Sequence, residues 1–224
     1  MPALLLYGMS SIESASIRNL LECKKACSCA TTHGPTKRIA ITGGPGAGKT
    51  SFIELAKKSF CRHVAVLPEA ASIVYSGGFP RTPEPSVIVA AQKSIWYVMR
   101  ELEQLALSLN QFHTIICDRG SLDGVAYWPT YDADFFTTLH TDEARELARY
   151  DVVVHMRTPS PNEYEGMNAF RVESSQEAAI LDQKTLDAWK NHPQHKIISG
   201  SENFMDKIQN VFHILNAHIP SCCA

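Results

Sequence analysis

Residues 43–50 read Gly-Gly-Pro-Gly-Ala-Gly-Lys-Thr, a full match to G-x-x-x-x-G-K-[ST]. Their surroundings are those the motif requires. KRIAIT (37–42) is a short, apolar, β-branched run that reads as a buried strand, and residues 49–60 read as the helix that follows. Glycines let backbone N–H groups approach an anion closely, and the positive end of the helix dipole points at the same place. Gly43, Gly44, Pro45, Gly46, Ala47, Gly48, Lys49, Thr50 and Ser51 therefore read as a cradle for a nucleoside triphosphate. Lys49 would reach the β- and γ-phosphates, and Thr50 would ligate Mg²⁺ through its hydroxyl. A plain glycine turn before a helix needs neither the Lys-Thr pair nor the strand.

The remaining elements alternate. HVAVL (63–67), HTIIC (113–117), DVVVHM (151–156) and KIIS (196–199) read as strands, and 84–109 and 203–217 as helices. Continuous apolar strands between helices predict an α/β fold with helices on both faces of a mostly parallel sheet. With the cradle, this is the three-layer P-loop NTPase fold with five strands. The first 36 residues read as an extension, disordered or holding a short helix over 11–28, and residues 37–220 as the nucleotide-binding domain.

Composition narrows the partners. Lys plus Arg total 21 against 23 for Asp plus Glu, which argues against binding a nucleic-acid polymer. No apolar run is long enough to span a bilayer, so no transmembrane segment is expected. The seven cysteines lack framework spacing, which fits free thiols in a reducing, cytoplasmic setting. The Ser-, Ala- and Cys-rich opening leaves organelle targeting as a minor alternative.

The second phosphate-site element should be a carboxylate ending a neighbouring strand, and HTIIC runs straight into Asp118-Arg119-Gly120. Asp118 is the candidate partner of Thr50 for the metal, or the cap of the turn. Arg119 is placed to meet an anion. The run Asp118-Arg-Gly-Ser-Leu-Asp-Gly-Val-Ala-Tyr127 resembles a segment of thymidylate kinases and of the NadR-like AAA group of small P-loop proteins. That group includes the ribosylnicotinamide kinase domain of NadR and eukaryotic TRPL-translocation-defect-type relatives linked to receptor trafficking. RIAITGGPGAGKTSFIELA resembles the same group, as does VAVLPEAASIV, in which Glu69 follows the second strand as it also does in deoxynucleoside kinases. The resemblance spans about residues 37–217.

The resemblance implies a phosphotransferase. Glu69 falls where related kinases place the carboxylate that contacts the acceptor hydroxyl; the alternative is an acid in the first turn of a helix starting near Ala70. Arg119 would bind the acceptor or the transferred phosphate, and Asp123 would support the metal shell or cap a helix. Residues 157–171, rich in Pro and Gly, lie where such kinases carry a lid, with Arg157 and Arg171 as candidate cations over the γ-phosphate. Arg171, just inside the helix that follows the lid in the family, is the preferred one. Gln92 and Trp96 share a helix face in the region of acceptor contacts, although a Trp at that spacing reads first as core. Arg81 reads as a surface residue with an acceptor contact as the alternative.

Other constellations are weaker. His192 and His195 read as a surface loop rather than a metal site, and Cys23, Cys27, Cys29 and His33 match no standard zinc spacing. The expected activity is Mg²⁺-dependent transfer from ATP to a nucleoside, a nucleotide or a related small molecule. The alternative is a regulatory protein that binds ATP or GTP and hydrolyses it slowly, in trafficking or lipid-linked signalling. The eukaryotic relatives imply that alternative, although no basic patch supports membrane contact. A Ras-type switch is disfavoured because Asp118 opens no D-x-x-G and Asn203-Phe-Met-Asp206 keeps only the outer residues of N-K-x-D.

Overall fold

The computed structural model describes residues 34–129, 134–160, 174–201 and 203–220. Its five strands are β1 (Lys37–Thr42), β2 (Val64–Leu67), β3 (Thr114–Asp118), β4 (Val152–Met156) and β5 (His195–Ile198). Every pairing is parallel, and the order across the sheet is β2-β3-β1-β4-β5. The expected sheet was mostly parallel; it is wholly so. β1 is the centre, with Ile39 opposite Ile116 on one side and Val152 on the other.

The apolar runs explain the layers. Side chains alternate across a strand, so Ile39 and Ile41 face one way and Ala40 the other. On the first face Ile39, Ile41, Val152 and Val154 pack with helix α1 (Lys49–Ser59) and helix α8 (Phe204–Asn216), through Phe52, Ile53, Val211 and Leu215. On the other, the smaller Ala40, Ala65, Cys117 and Val153 pack with Ala106 of helix α3 (Pro85–Ser108) and Trp189 of helix α7 (Ser175–Trp189). Each fully buried aliphatic side chain contributes about 1.5–3 kcal/mol. The result is helix, sheet, helix: a P-loop NTPase fold.

Shorter elements were not legible from periodicity. Helix α2 (Ala70–Ser76) follows β2, while α4 (Asp123–Tyr127), α5 (Phe135–Leu139) and α6 (Glu143–Leu147) lie between β3 and β4. Helix α7 has a different difficulty. Its buried side is Ala178, Asp182, Thr185 and Trp189, so polar residues interrupt the apolar stripe. Its start is fixed by a capping box between Ser174 and Glu177. The carboxyl ends of β1 and β3 are adjacent, and loops leaving them meet where open parallel sheets bind ligands.

Candidate active site

The cradle is the turn between β1 and α1. Gly48 sits at φ 95°, a left-handed conformation that any Cβ would strain, and it starts α1 without a side-chain cap. The first amides of α1 are thus left to an anion. Thr50 and Ser51 are exposed in that first turn. Lys49 is 93% buried in effect, at 7% relative exposure, and its Nζ donates to the carbonyls of Gly43 and Gly44, each at 2.7 Å. Burial, and then the neighbouring Arg119, pull its pKa down to about 7. Residues 45–51 line a cleft of about 300 Å³ with Glu69, Asp118 and Arg119.

Arg119 organises the acidic side. It follows β3 at φ 77°, fixed by its N–H donating to the Ile41 carbonyl at 3.0 Å, a conformation uncommon for a residue with a Cβ. Its Nε donates to Glu69 Oε1 at 2.7 Å and its Nη1 to Asp123 Oδ2 at 3.3 Å. Burial lowers the stability of its charge, but Tyr127, Asp123 and Glu69 together hold its pKa above the usual value. Glu69 also accepts from Ser72 Oγ at 2.6 Å. Burial works against its ionised form, yet Arg119 and Ser72 keep its carboxyl below the ordinary range. Asp118 goes the other way: burial, followed by repulsion from Glu69, raises it to about 6.

Glu69 lies at the start of α2 without capping it. It occupies the N-cap position, and its carboxylate faces the cleft instead of bonding to the helix backbone. Asp123 is not a helix cap. Leu122 is the N-cap of α4, and the buried Asp123 carboxylate accepts from Thr42 Oγ1 at 2.6 and 2.7 Å and from Trp189 Nε1 at 2.8 Å. It anchors Arg119 from behind. Thr42 and Trp189 were not singled out in the sequence.

Beyond Arg119 lies a second cavity of about 570 Å³, which Glu69, Asp118 and Arg119 also line. Its wall includes Tyr75, Ile88, Ile95 and Tyr127 beside Gln92, Trp96 and Arg81. Gln92 and Trp96 share the helix face as expected, at 8% and 4% exposure, and Trp96 belongs at the same time to the apolar cluster with Ala70 and Met99. Arg81 lines the cavity and stacks over the Tyr75 ring at 5.2 Å.

Arg157 is among the lining residues of neither cavity. Its Nε donates to Asp182 Oδ2 at 2.5 Å and its Nη2 to Gln183 at 3.4 Å. Arg171 lies outside the described residues, as do Cys23, Cys27, Cys29, His33 and the 11–28 helix, and α7 starts at Ser175. His192 and His195 are not on a surface loop. His192 is buried, with Nε2 on the Tyr150 carbonyl at 2.8 Å and Nδ1 accepting from the Gln194 amide at 3.1 Å. His195 begins β5, and burial, then His155, hold its pKa down to about 4. Among the described residues no group of three or more His, Cys, Asp or Glu could hold a metal ion by itself. Nor does any described helix have the length and apolarity to cross a membrane.

Fold and site together define a P-loop protein with a kinase-like nucleotide-binding fold. The sequence model of a family described as an AAA domain matches residues 38–207, and the chain belongs to that family. No curated protein matches the sequence. Among solved structures, thymidylate kinase from Candida albicans superposes with a TM-score of 0.60 at 16% identity, over 83% of this chain and 93% of that one. Deoxyadenosine kinase from M. mycoides, solved with dCMP and dCDP as products, gives 0.54 at 16% identity, over 80% of this chain and 99% of that one. Identities this low show a shared fold.

Proposed function

We propose that the chain is a phosphotransferase that moves the γ-phosphoryl group of ATP to a hydroxyl of a nucleoside, a nucleotide or a related small molecule. One observation carries this reading: Glu69, Asp118 and Arg119 line the cradle cleft and the larger cavity alike, so one trio borders both reactants. A nucleotide switch has no need of that second cavity. The relatives of this fold named above, a thymidylate kinase and a deoxyadenosine kinase, support the acceptor class.

In this reading the acceptor oxygen forms a bond to the γ-phosphorus as the bond to the β–γ bridging oxygen breaks. Lys49 leaves the two carbonyls and meets the phosphates, its charge restored by them. Glu69, a weak base beside Arg119, orients the hydroxyl and takes its proton late, as suits a loose transition state. Arg119 steadies the equatorial oxygens. Thr50 and Asp118 fit a Mg²⁺ ion, since both line one cleft and Asp118 is a carboxylate raised by burial and repulsion that a cation would relieve. Such an ion supplies charge neutralisation on the phosphates.

The donor base lies on the side away from Arg119. There a Cβ on Gly48 would come within 3.2 Å of the Phe204 ring, and Phe204 and Met205 are exposed at 40% and 58%. Asn203 and Asp206, the outer residues of the partial guanine motif, hydrogen-bond each other, leaving an apolar platform that accepts ATP and also GTP. The domain spans residues 37–220 and works in the cytoplasm.

The test is Mg²⁺-dependent ADP release with a panel of nucleosides, nucleotides and ribosylnicotinamide. A large stimulation by one acceptor is expected, lost in Lys49→Ala. Glu69→Gln should keep ATP binding and lose about a hundredfold of that stimulation. Slow turnover unaffected by every acceptor would replace this reading with a regulatory nucleotide-binding protein.

A further inference from the structure

We infer that Asp182, on α7, is a positioning residue that sets the phosphate cradle by holding the Gly44 amide from behind; this rests on the nucleotide-binding reading above. The Gly44 N–H donates to Asp182 Oδ1 at 2.9 Å. That amide therefore points out of the cradle, while the later amides of the turn remain for phosphate. The Gly44 carbonyl accepts from Lys49 Nζ at 2.7 Å, so a single residue links Asp182 to the cation of the site.

The carboxylate is held on several sides. Asp182 is 2% exposed; His155 Nε2 lies 3.0 Å from Oδ1, and Arg157 Nε donates to Oδ2. Buried carboxylates are expensive, and one with several donors around it has little freedom to move. The approach to Gly44 is equally confined. A Cβ there would collide with Thr158 Oγ1 and with the Asp182 side chain, and the Thr158 hydroxyl donates to the Pro45 carbonyl at 2.9 Å. Gly44 and Pro45 are thus fastened on the face opposite the ligand.

Helix α7 is fixed at a second point. Trp189, seven residues along and fully buried, donates from Nε1 to Asp123 at 2.8 Å, and Asp123 holds Arg119. One helix therefore sets two places, the start of the P-loop through Asp182 and the Arg119 turn through Trp189. The spacing of cradle and acceptor side follows from a rigid element rather than from either loop.

The experiment compares Asp182→Ala and Asp182→Asn in the full chain, reading the exchange rate of the Gly44 amide by NMR, the thermal midpoint, and the Kd for MgATP by calorimetry. Asn can still accept from Gly44; Ala cannot. Asp182→Ala should speed Gly44 exchange at least tenfold and weaken MgATP at least tenfold, while Asp182→Asn stays within threefold of the parent on both. Arg157→Gln removes a partner of the carboxylate but leaves the amide bond, and should bind MgATP within threefold of the parent. The inference is overturned if folded Asp182→Ala binds MgATP within twofold of the parent. It is equally overturned if Asp182→Asn or Arg157→Gln is weakened tenfold, because the charge pair would then be the cause. Should Asp182→Ala not fold, those last two variants decide. If the parent binds no nucleotide, the proposed function fails, and the Gly44 exchange rates still report whether Asp182 holds the turn.

Discussion

Two of the buried ionic networks on this sheet make a contrast, and only one of the pair has the character of a site. Near the strand starts, Glu103 is 1% exposed and accepts from Arg149 Nη2 at 2.8 Å, Arg38 Nη1 at 3.3 Å and the Tyr150 hydroxyl at 2.7 Å. Tyr150 in turn accepts from the Ser121 amide at 2.9 Å. Both oxygens of Glu103 are filled by the protein itself. At the strand ends, by contrast, Lys49 is pulled down to about 7, Asp118 is pushed up to about 6, and Arg119 sits in a left-handed turn. Those charges are held against burial and against each other, so a triphosphate and a cation would relieve them. Buried charge alone does not mark a site; unrelieved charge in an open cleft does.

The sharpest break of this contrast is Glu103→Ala, which removes the buried carboxylate that Arg38 and Arg149 share. It should cost about 3–5 kcal/mol of stability, read by denaturant unfolding, and leave the Kd for ATP within twofold in the folded protein. A collapse of ATP affinity without unfolding would merge the two networks.

Lys49→Ala should do the reverse. ATP affinity should fall about a hundredfold or more, about 2.7 kcal/mol, while the nucleotide-free protein loses no stability. The pH dependence follows from the depressed pKa. Above about pH 7 the free protein holds Lys49 neutral, and a bound triphosphate favours the ammonium form, so binding takes up a proton. ATP affinity should therefore weaken as pH rises from 7 to 9, by up to about tenfold per unit. Calorimetry in two buffers of different ionisation enthalpy would read the uptake.

Asp118→Asn is expected to stabilise the nucleotide- and Mg²⁺-free protein by about 1–2 kcal/mol at pH 7–8. The sign comes from a folded pKa of about 6 against an ordinary 3.8: between those values the folded chain binds more protons than the unfolded one, so stability falls as pH rises through them. The gain should shrink toward pH 4, where the aspartate is already protonated. The same variant should lose Mg²⁺-dependent turnover. The smallest effect is at Phe204→Ala, for which ATP and GTP should weaken together by about three- to tenfold, their ratio unchanged; a selective loss of one would show that the base is read by hydrogen bonds.

Much of this was legible in the sequence because the strands are uninterrupted apolar runs and the P-loop carries its own geometry. KRIAIT, HTIIC and DVVVHM fell within a residue of β1, β3 and β4, and residues 84–109 within a residue of α3 at each end. Asp118 and Arg119 were picked out because they lie at the end of an apolar strand, and Glu69 because it follows another as it does in the family the chain resembles. Asp182 and Trp189 were not, since a helix burying Asp182 and Thr185 looks like a solvated one. Arg157 was one of two candidate cations, behind Arg171, from its place after β4, and its pairing with Asp182, a neighbour only in space, could not be read from the sequence. His192 was read as surface because no Cys or acidic partner is arranged around NHPQH; it is buried beside the Trp189 ring and bonded to a backbone carbonyl 42 residues away, neither of which the local sequence shows.

The most direct measurement follows the γ-phosphate itself. The chain is incubated with Mg²⁺ and ATP labelled at the γ-phosphorus, together with the acceptor panel, and the label is located by chromatography and mass spectrometry. Transfer predicts label on one acceptor, in step with ADP, absent with Lys49→Ala and strongly reduced with Glu69→Gln. Label recovered only as inorganic phosphate, at a slow rate that no acceptor changes, would contradict it.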